Sequence, residues 1–487
     1  MKKNIISTLL ITFLLAALPL AQEAPSQQDP SEDIQARVQE ILSQSAVVQE
    51  IKARRLTSRQ GATPPNFLNM VALGDSLTLG VRSGGVNEQD QIEAFPALIS
   101  RQVGTFFFLP LLFGPTIELV EPGLPPVTNV IPAPDVGRVF PLIVPQNLAI
   151  GGHNVLDGLV TRPDFNSLAE IDSLEDLILG LPLNLPQLGP GRLQVSQIEL
   201  AVGTQPTFTI YWLCSNDVLG AATQADPSLV TPFEVFTQAY QQSVGALLTL
   251  TSSDVIVANI PALTTIPFLQ SAQEVAAIVG APLPAIGPVL GIEDGDFVTL
   301  LGLELIEPIL TGQAAGPLPP NVVLTAEEAA AMTGAITQMN AFIAGFAAQV
   351  GIPVVDINGF ISEVDSNGFQ AGEFTLTTGF LGGVFSLDGV HPTATAQAAV
   401  ANLFIERINE FWGLSVPLVD VAAVAANDDL VLKGGETGGS ALDMRTLRRY
   451  GFDAARRAVE IISPDLVDKP QEPSSPPLRP RRPGGSR

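Results

Sequence analysis

Apolar and polar positions along the chain follow two rhythms. Short, unbroken apolar runs predict buried strands: MVAL at 70–73, FTIYWL at 208–213, VIVANI at 255–260 and IPVVDI at 352–357. QNLAI at 146–150 is a weaker fifth. Between them the apolar residues recur at helical spacing. Such stretches are FEVFTQAYQQSVGALLTL after Pro232, TAEEAAAMTGAITQMNAFIAGFAAQV from Thr325, and TATAQAAVANLFIERINEFW after Pro392. Thr325 and Glu328 have the spacing of a capping box. Apolar strands separated by helices predict an α/β domain with a mainly parallel sheet covered on both faces. Sites on such sheets lie beyond the carboxyl ends of the strands.

Two stretches, 105–145 and 261–322, are apolar and rich in proline but lack either period. They read as insertions, serving equally well as lids, binding loops or packing. Ahead of the body, SEDIQARVQEILSQSAVVQEIKARR carries Ile34, Val38, Ile41 and Leu42 on one helical face, with Ser31 as the N-cap. With the QEAPSQQDP linker it makes a helical arm over 22–65.

The two ends differ from the body. Lys2 and Lys3 precede an apolar run from Ile5 to about Leu20, and Ala21 precedes Gln22. This predicts a signal peptide over 1–21 and a secreted or periplasmic protein, with an uncleaved anchor as the alternative. No cysteine follows the run to accept a lipid. No later stretch is long and apolar enough to span a membrane. At the other end, 413–469 is an extension containing a basic helix in SALDMRTLRRYGFDAARRAVEII, and the Pro/Arg-rich 470–487 is expected to be disordered.

The net charge of −25 sharpens that division. Residues 60–426 hold 34 Asp and Glu against 6 Arg and no Lys, whereas 427–487 hold 11 basic and 9 acidic residues. A body this acidic repels nucleic acid and anionic membranes. The single cysteine, Cys214, excludes an internal disulfide. Two histidines and one cysteine are a poor supply for a catalytic zinc. The acidic turns at 293–296 and 365–368 lack the full EF-hand pattern and read as surface turns. No metal or other cofactor is expected.

Four short segments carry chemistry. In MVALGDSLTLG an apolar strand runs into Gly74-Asp75-Ser76, which places a serine on the turn at a strand end. A serine nucleophile needs a base. His391 lies three residues after Asp388 in SLDGVHPT, so one turn presents both side chains together; an ordinary Asp-Gly turn before a helix explains the same residues. His153, in NLAIGGHNV, is the rival base, but it lacks a nearby carboxylate until Asp157 and reads as a loop residue. Acyl transfer also needs donors for the oxyanion, and the Gly152 N–H and the Asn216 side chain follow predicted strands. The α/β-hydrolase motif G-x-S-x-G is absent.

The order strand-GDSLT, Asn147 with Gly152, Asn216-Asp217, then Asp388-x-x-His391-Pro392 resembles the GDSL or SGNH hydrolases from about residue 66 to 412. The resemblance is closest to an exported bacterial branch. It implies a three-layer α/β/α flavodoxin-like fold with a five-stranded sheet in the order 2-1-3-4-5. It also implies Ser76 as nucleophile, His391 as base and Asp388 as orienting acid. Ser76 N–H, Gly152 N–H and the Asn216 amide would form the oxyanion hole. The function implied is hydrolysis of a carboxylic ester, and the apolar insertions favour a lipid-like or medium-chain acyl group. The alternatives are a catalytically silent binding or surface module, or an esterase or acyltransferase acting on O-acetylated carbohydrate. One departure stands out: Cys214 occupies a position where the family carries glycine, and a side chain there would narrow the site or shift Asn216.

Overall fold

Four strands, β1 (Met70–Gly74), β2 (Phe208–Trp212), β3 (Asp254–Ala258) and β4 (Val354–Val355), form a parallel sheet in that order. The register pairs Met70 with Phe208, Phe208 with Asp254, and Val257 with Val354. Every residue of β1 and β2 is buried. Both faces of these strands are therefore covered, which is why their sequences are continuously apolar instead of alternating.

The expected fifth strand is reduced to an edge segment. Residues 146–150 run beside β1 through three hydrogen bonds, Ala72 N–H to Gln146 O, Leu148 N–H to Ala72 O and Ile150 N–H to Gly74 O, but only Ala72 and Asn147 pair as a bridge. Pro145 precedes the segment and Gly151-Gly152 turn it away after Ile150. The regular sheet is thus four-stranded, not five-stranded. Counting the edge segment second, the order along the sheet is 2-1-3-4-5.

The computed structural model describes residues 30–58, 64–113, 116–121, 124–130, 137–167, 170–171, 173–184, 193–431 and 451–463. The expected signal peptide, the linker before Pro30, the part of the C-terminal extension over 432–450 and the tail at 470–487 lie outside the described residues. In chain order the helices that matter here are α1 (Pro30–Gln44), α2 (Ala46–Ser58), α3 (Ser76–Leu79), α4 (Phe95–Val103) and α5 (Gln197–Thr204). They continue with α6 (Asn216–Gln224), α7 (Phe233–Leu250), α8 (Ala326–Val350), α9 (Ala394–Trp412) and α10 (Phe452–Ile462).

Helices α4 and α9 pack together on one side of the sheet, and α5, α7 and α8 cover the other. This completes the three layers. The capping box on α8 is present, with Thr325 accepting from Glu328 N–H. The N-terminal arm is two helices broken at Ser45, not one, and it begins at Pro30, ahead of the expected cap at Ser31. Val38, Leu42, Val48 and Ile51 are buried in its contact with α7 and α8.

The insertions are not irregular. Within and just after 261–322, Leu269–Ser271, Phe297–Thr299 and Val323–Leu324 build a three-stranded antiparallel sheet flanked by short helices at Ala272–Val279 and Leu283–Leu290. Within 105–145, Leu112–Phe113 pairs with Gly137–Arg138, and Thr116–Glu121 pairs with Leu124–Val130. Strands of two or three residues, as in all but the Thr116–Glu121 and Leu124–Val130 pair, are too short to display a period of two, so the pattern hid them. Among the described residues no single helix is long and apolar enough to cross a membrane.

Candidate active site

Ser76 opens α3 directly after β1, with Asp75 as the N-cap accepting from Leu77 N–H at 3.0 Å. The turn is tight because residue 74 has no side chain: a Cβ there would fall 2.0 Å from Thr78 Oγ1. Two amides brace the turn. Asn147 Nδ2 donates to Thr78 O at 2.9 Å, and Gln397 Nε2 donates to Leu77 O at 3.0 Å. Gln397 sits on α9, six residues after His391, so the serine turn and the histidine turn are fastened to each other although 320 residues separate the bonded pair.

The Asp388–His391 turn forms as the spacing predicts. His391 Nδ1 lies 2.7 Å from Asp388 Oδ2, and both side chains are fully buried. The carboxylate has further donors. Oδ1 accepts from Val390 N–H at 2.9 Å, His391 N–H at 2.8 Å and the Ser386 hydroxyl at 3.2 Å, and Oδ2 accepts from Gly84 N–H at 2.8 Å. Burial alone would raise this carboxyl group. The adjacent His391 charge, its ring hydrogen bond and the backbone N–H donors outweigh burial and hold Asp388 below its ordinary value. An ionised Asp388 accepts the Nδ1 proton and leaves Nε2 with its lone pair free. Nε2 has no hydrogen-bond partner, nor has Ser76 Oγ, and both atoms are buried.

The oxyanion candidates meet at the same end of the sheet. Gly152 has φ +84°, a left-handed conformation that suits glycine. Asn216 begins α6, and its Nδ2 donates one hydrogen to His153 O at 2.9 Å, leaving the second hydrogen available. Cys214 does not crowd this group. Its thiol faces the Ala258 carbonyl of β3 at 3.8 Å, and burial pushes its pKa well up, so it is neither an obstruction nor a reactive thiolate.

His153 is more than a loop residue. Its Nε2 lies 2.9 Å from Glu175 Oε1 and its Nδ1 lies 3.3 Å from Gln197 Oε1. The carboxylate missing near it in sequence comes from 22 positions downstream. With both ring nitrogens engaged, His153 is unavailable as a base for Ser76. Sequence reading also missed Ser83 and Ser386, which lace the loop beside Asp388 to the acid turn through Ser83 N–H to Ser386 Oγ at 2.8 Å and Leu387 N–H to Ser83 Oγ at 3.2 Å.

Two further buried carboxyl groups flank the site. Asp75 and Asp217 are each pushed up to about 7, chiefly by burial, and each keeps one oxygen without a partner. Beside the serine and histidine turns lies a small cavity of about 50 Å³ walled by apolar side chains, including Leu77, Trp212, Leu219, Leu263, Phe360 and Val390. No group of three or more His, Cys, Asp or Glu able to hold a metal ion occurs among the described residues.

Over residues 70–404 the chain matches the family described as GDSL-like Lipase/Acylhydrolase. No curated protein matches it.

Proposed function

The chain belongs to the GDSL-like lipase/acylhydrolase family and is a hydrolase of ester bonds, and from that premise we propose that it cleaves medium-chain or lipid-like carboxylic esters through an acyl-enzyme on Ser76. The observation that carries the reading is that Ser76 Oγ and His391 Nε2 are both buried without a hydrogen-bond partner, on turns fastened together through Gln397, with Asp388 held ionised against His391 Nδ1.

Ser76 Oγ forms a bond to the ester carbonyl carbon as its proton passes to His391 Nε2. Asp388 holds the Nδ1 tautomer and stabilises the imidazolium. The negative oxygen of the tetrahedral intermediate takes hydrogen bonds from Ser76 N–H, Gly152 N–H and the second Asn216 Nδ2 hydrogen. Collapse breaks the bond to the alcohol, which leaves with the proton from Nε2. Water then gives a proton to Nε2 as it attacks the acyl-enzyme, and collapse breaks the bond to Ser76 Oγ, which takes that proton back from Nε2 as the carboxylic acid leaves.

The small apolar cavity has room for the near end of an acyl chain, where each buried methylene contributes about 0.8 kcal/mol, and this supports an acyl chain over an acetylated sugar. A series of p-nitrophenyl esters from acetate to dodecanoate tests this. The reading expects kcat/KM to rise from acetate to a medium chain; a preference for acetyl groups on sugars overturns it. Export rests on the Lys2-Lys3 start and the apolar run that follows. Its test is an N-terminal sequence of the mature protein, expected to begin near Gln22.

A further inference from the structure

We propose that His153 is a positioning residue for the oxyanion hole, fixing two of its three donors, Gly152 N–H and Asn216 Nδ2, from one imidazole clamp; this rests on the catalytic reading above. Gln197 is the fixed point. It is fully buried, and its Nε2 donates to Gly74 O and to Leu148 O, both at 2.8 Å. These carbonyls belong to the strand ends that deliver Ser76 and Gly152. Both amide hydrogens of Gln197 are therefore spent on carbonyls, and its Oε1 is left as an acceptor only. Facing it, His153 Nδ1 is a donor. The other ring nitrogen faces the Glu175 carboxylate, which the His153 hydrogen bond and charge hold below its ordinary value against the effect of burial. The ring is gripped from two sides.

Its backbone transmits that grip. The Gly152 N–H is one peptide upstream, and the His153 carbonyl receives the Asn216 amide at 2.9 Å. Rotation of residue 153 therefore disturbs a backbone donor and a side-chain donor together. Loss of an oxyanion donor costs about 10² to 10³ in kcat.

The test compares His153→Leu, Glu175→Leu and Glu175→Gln, with folded enzyme counted by the end point of fluorophosphonate labelling. His153→Leu and Glu175→Leu are expected to lower kcat about 10²-fold with KM changed less than about twofold. Glu175→Gln keeps an acceptor for the ring and is expected to restore kcat to within about threefold. A labelled His153→Leu enzyme with kcat within about twofold of wild type overturns the clamp. So does equal loss in Glu175→Gln and Glu175→Leu. Full activity in Ser76→Ala would instead sink the nucleophile, a separate failure.

A different observation carries a second inference. Ser76 and His391 are fully buried in an enzyme whose substrate must reach them. The segments next to Asp388, Gly152 and Asn216 approach α10 and its C-terminal cap. A Cβ on Gly84, the neighbour of Asp388, would lie 2.5 Å from Ala454 O; one on Gly151 would lie 2.8 Å from Ile461 Cγ2; one on Gly220 of α6 would lie 3.4 Å from Ser463 Oγ. Eleven helical residues span about 16 Å. The geometry points to α10 as a plug lying across substrate access, with Phe452, Ala455, Ala458 and Ile461 inward and Arg456 paired to Glu304 of the insertion.

Gly220→Cys with Ser463→Cys tests it in the full chain, since the distance suits a disulfide and Cys214 is buried. Oxidised protein is expected to label at Ser76 at least tenfold more slowly than reduced protein, and Ile461→Asp is expected to label faster than wild type. Equal labelling of oxidised and reduced forms overturns the plug. Absence of labelling in Ile461→Asp as well as in wild type counts against Ser76 itself.

Discussion

The turn at 388–391 and the loop at 151–153 each pin a histidine to a carboxylate, yet they present opposite faces to the chemistry. His391 spends Nδ1 on Asp388 and keeps Nε2 without a partner; His153 spends Nδ1 on Gln197 and Nε2 on Glu175. A histidine–carboxylate pair is therefore not by itself the mark of a general base. The mark is the second nitrogen. Where it is free it is available to accept a proton, and where it is bound it is not.

The sharpest way to break that contrast is to delete both ends of the proton transfer. Ser76→Ala and His391→Ala are each expected to lower kcat on the best p-nitrophenyl ester by on the order of 10⁴-fold or more, with Tm little changed in Ser76→Ala and lowered in His391→Ala, which leaves the buried Asp388 carboxylate without its partner. A His391→Ala enzyme with rate intact would move the base elsewhere. Next, Asp388→Asn offers a hydrogen to Nδ1 and favours the wrong tautomer, so kcat is expected to fall by about 10⁴-fold. His153→Leu and Glu175→Leu come below these at about 10²-fold. Reversal of that ranking would exchange the roles of the two histidines.

The carboxyl groups around the two turns make a pH prediction. Asp75 and Asp217, raised to about 7, keep protons in the folded chain that the unfolded chain releases near pH 3.9. The folded state binds more protons between those values, so stability falls as pH rises from about 4 to 7. Asp388 and Glu175 are shifted down and act oppositely, adding stability above their unfolded values that is lost as pH falls through their folded ones. Tm from differential scanning calorimetry is thus expected to be higher at pH 5 than at pH 8, and Asp217→Asn to flatten the difference. A Tm that climbs from pH 5 to 8 contradicts the assignment. The smallest expected effect is at Cys214, whose thiol faces β3 and not the site. Cys214→Gly is expected to leave kcat within about twofold while costing about 1–2 kcal/mol in urea unfolding.

What the sequence made legible was local. GDS follows a run of apolar residues and so marks a strand end; Asp388 and His391 are three residues apart and meet within one turn. The parallel sheet was readable because strands buried on both faces have no polar alternation. What stayed hidden depends on distant partners. Nothing in NLAIGGHNV announces Glu175 or Gln197, which arrive from other segments. QNLAI looked like a strand because it is apolar, but it has β1 on one side only and leaves after Ile150. The effect expected of Cys214 likewise needed a neighbour, since which way its thiol points is set by β3. The close approach of α10 and Ser463 to Gly84, Gly151 and Gly220 is a packing fact that the basic composition of its sequence did not carry.

The most direct test of the central claim is mass-spectrometric mapping of the peptide modified by a fluorophosphonate in the full chain, run beside His391→Ala. One adduct is expected, on Ser76, formed slowly in wild type and lost in the variant. An adduct on another residue, or equal labelling of Ser76 in wild type and variant, would contradict it.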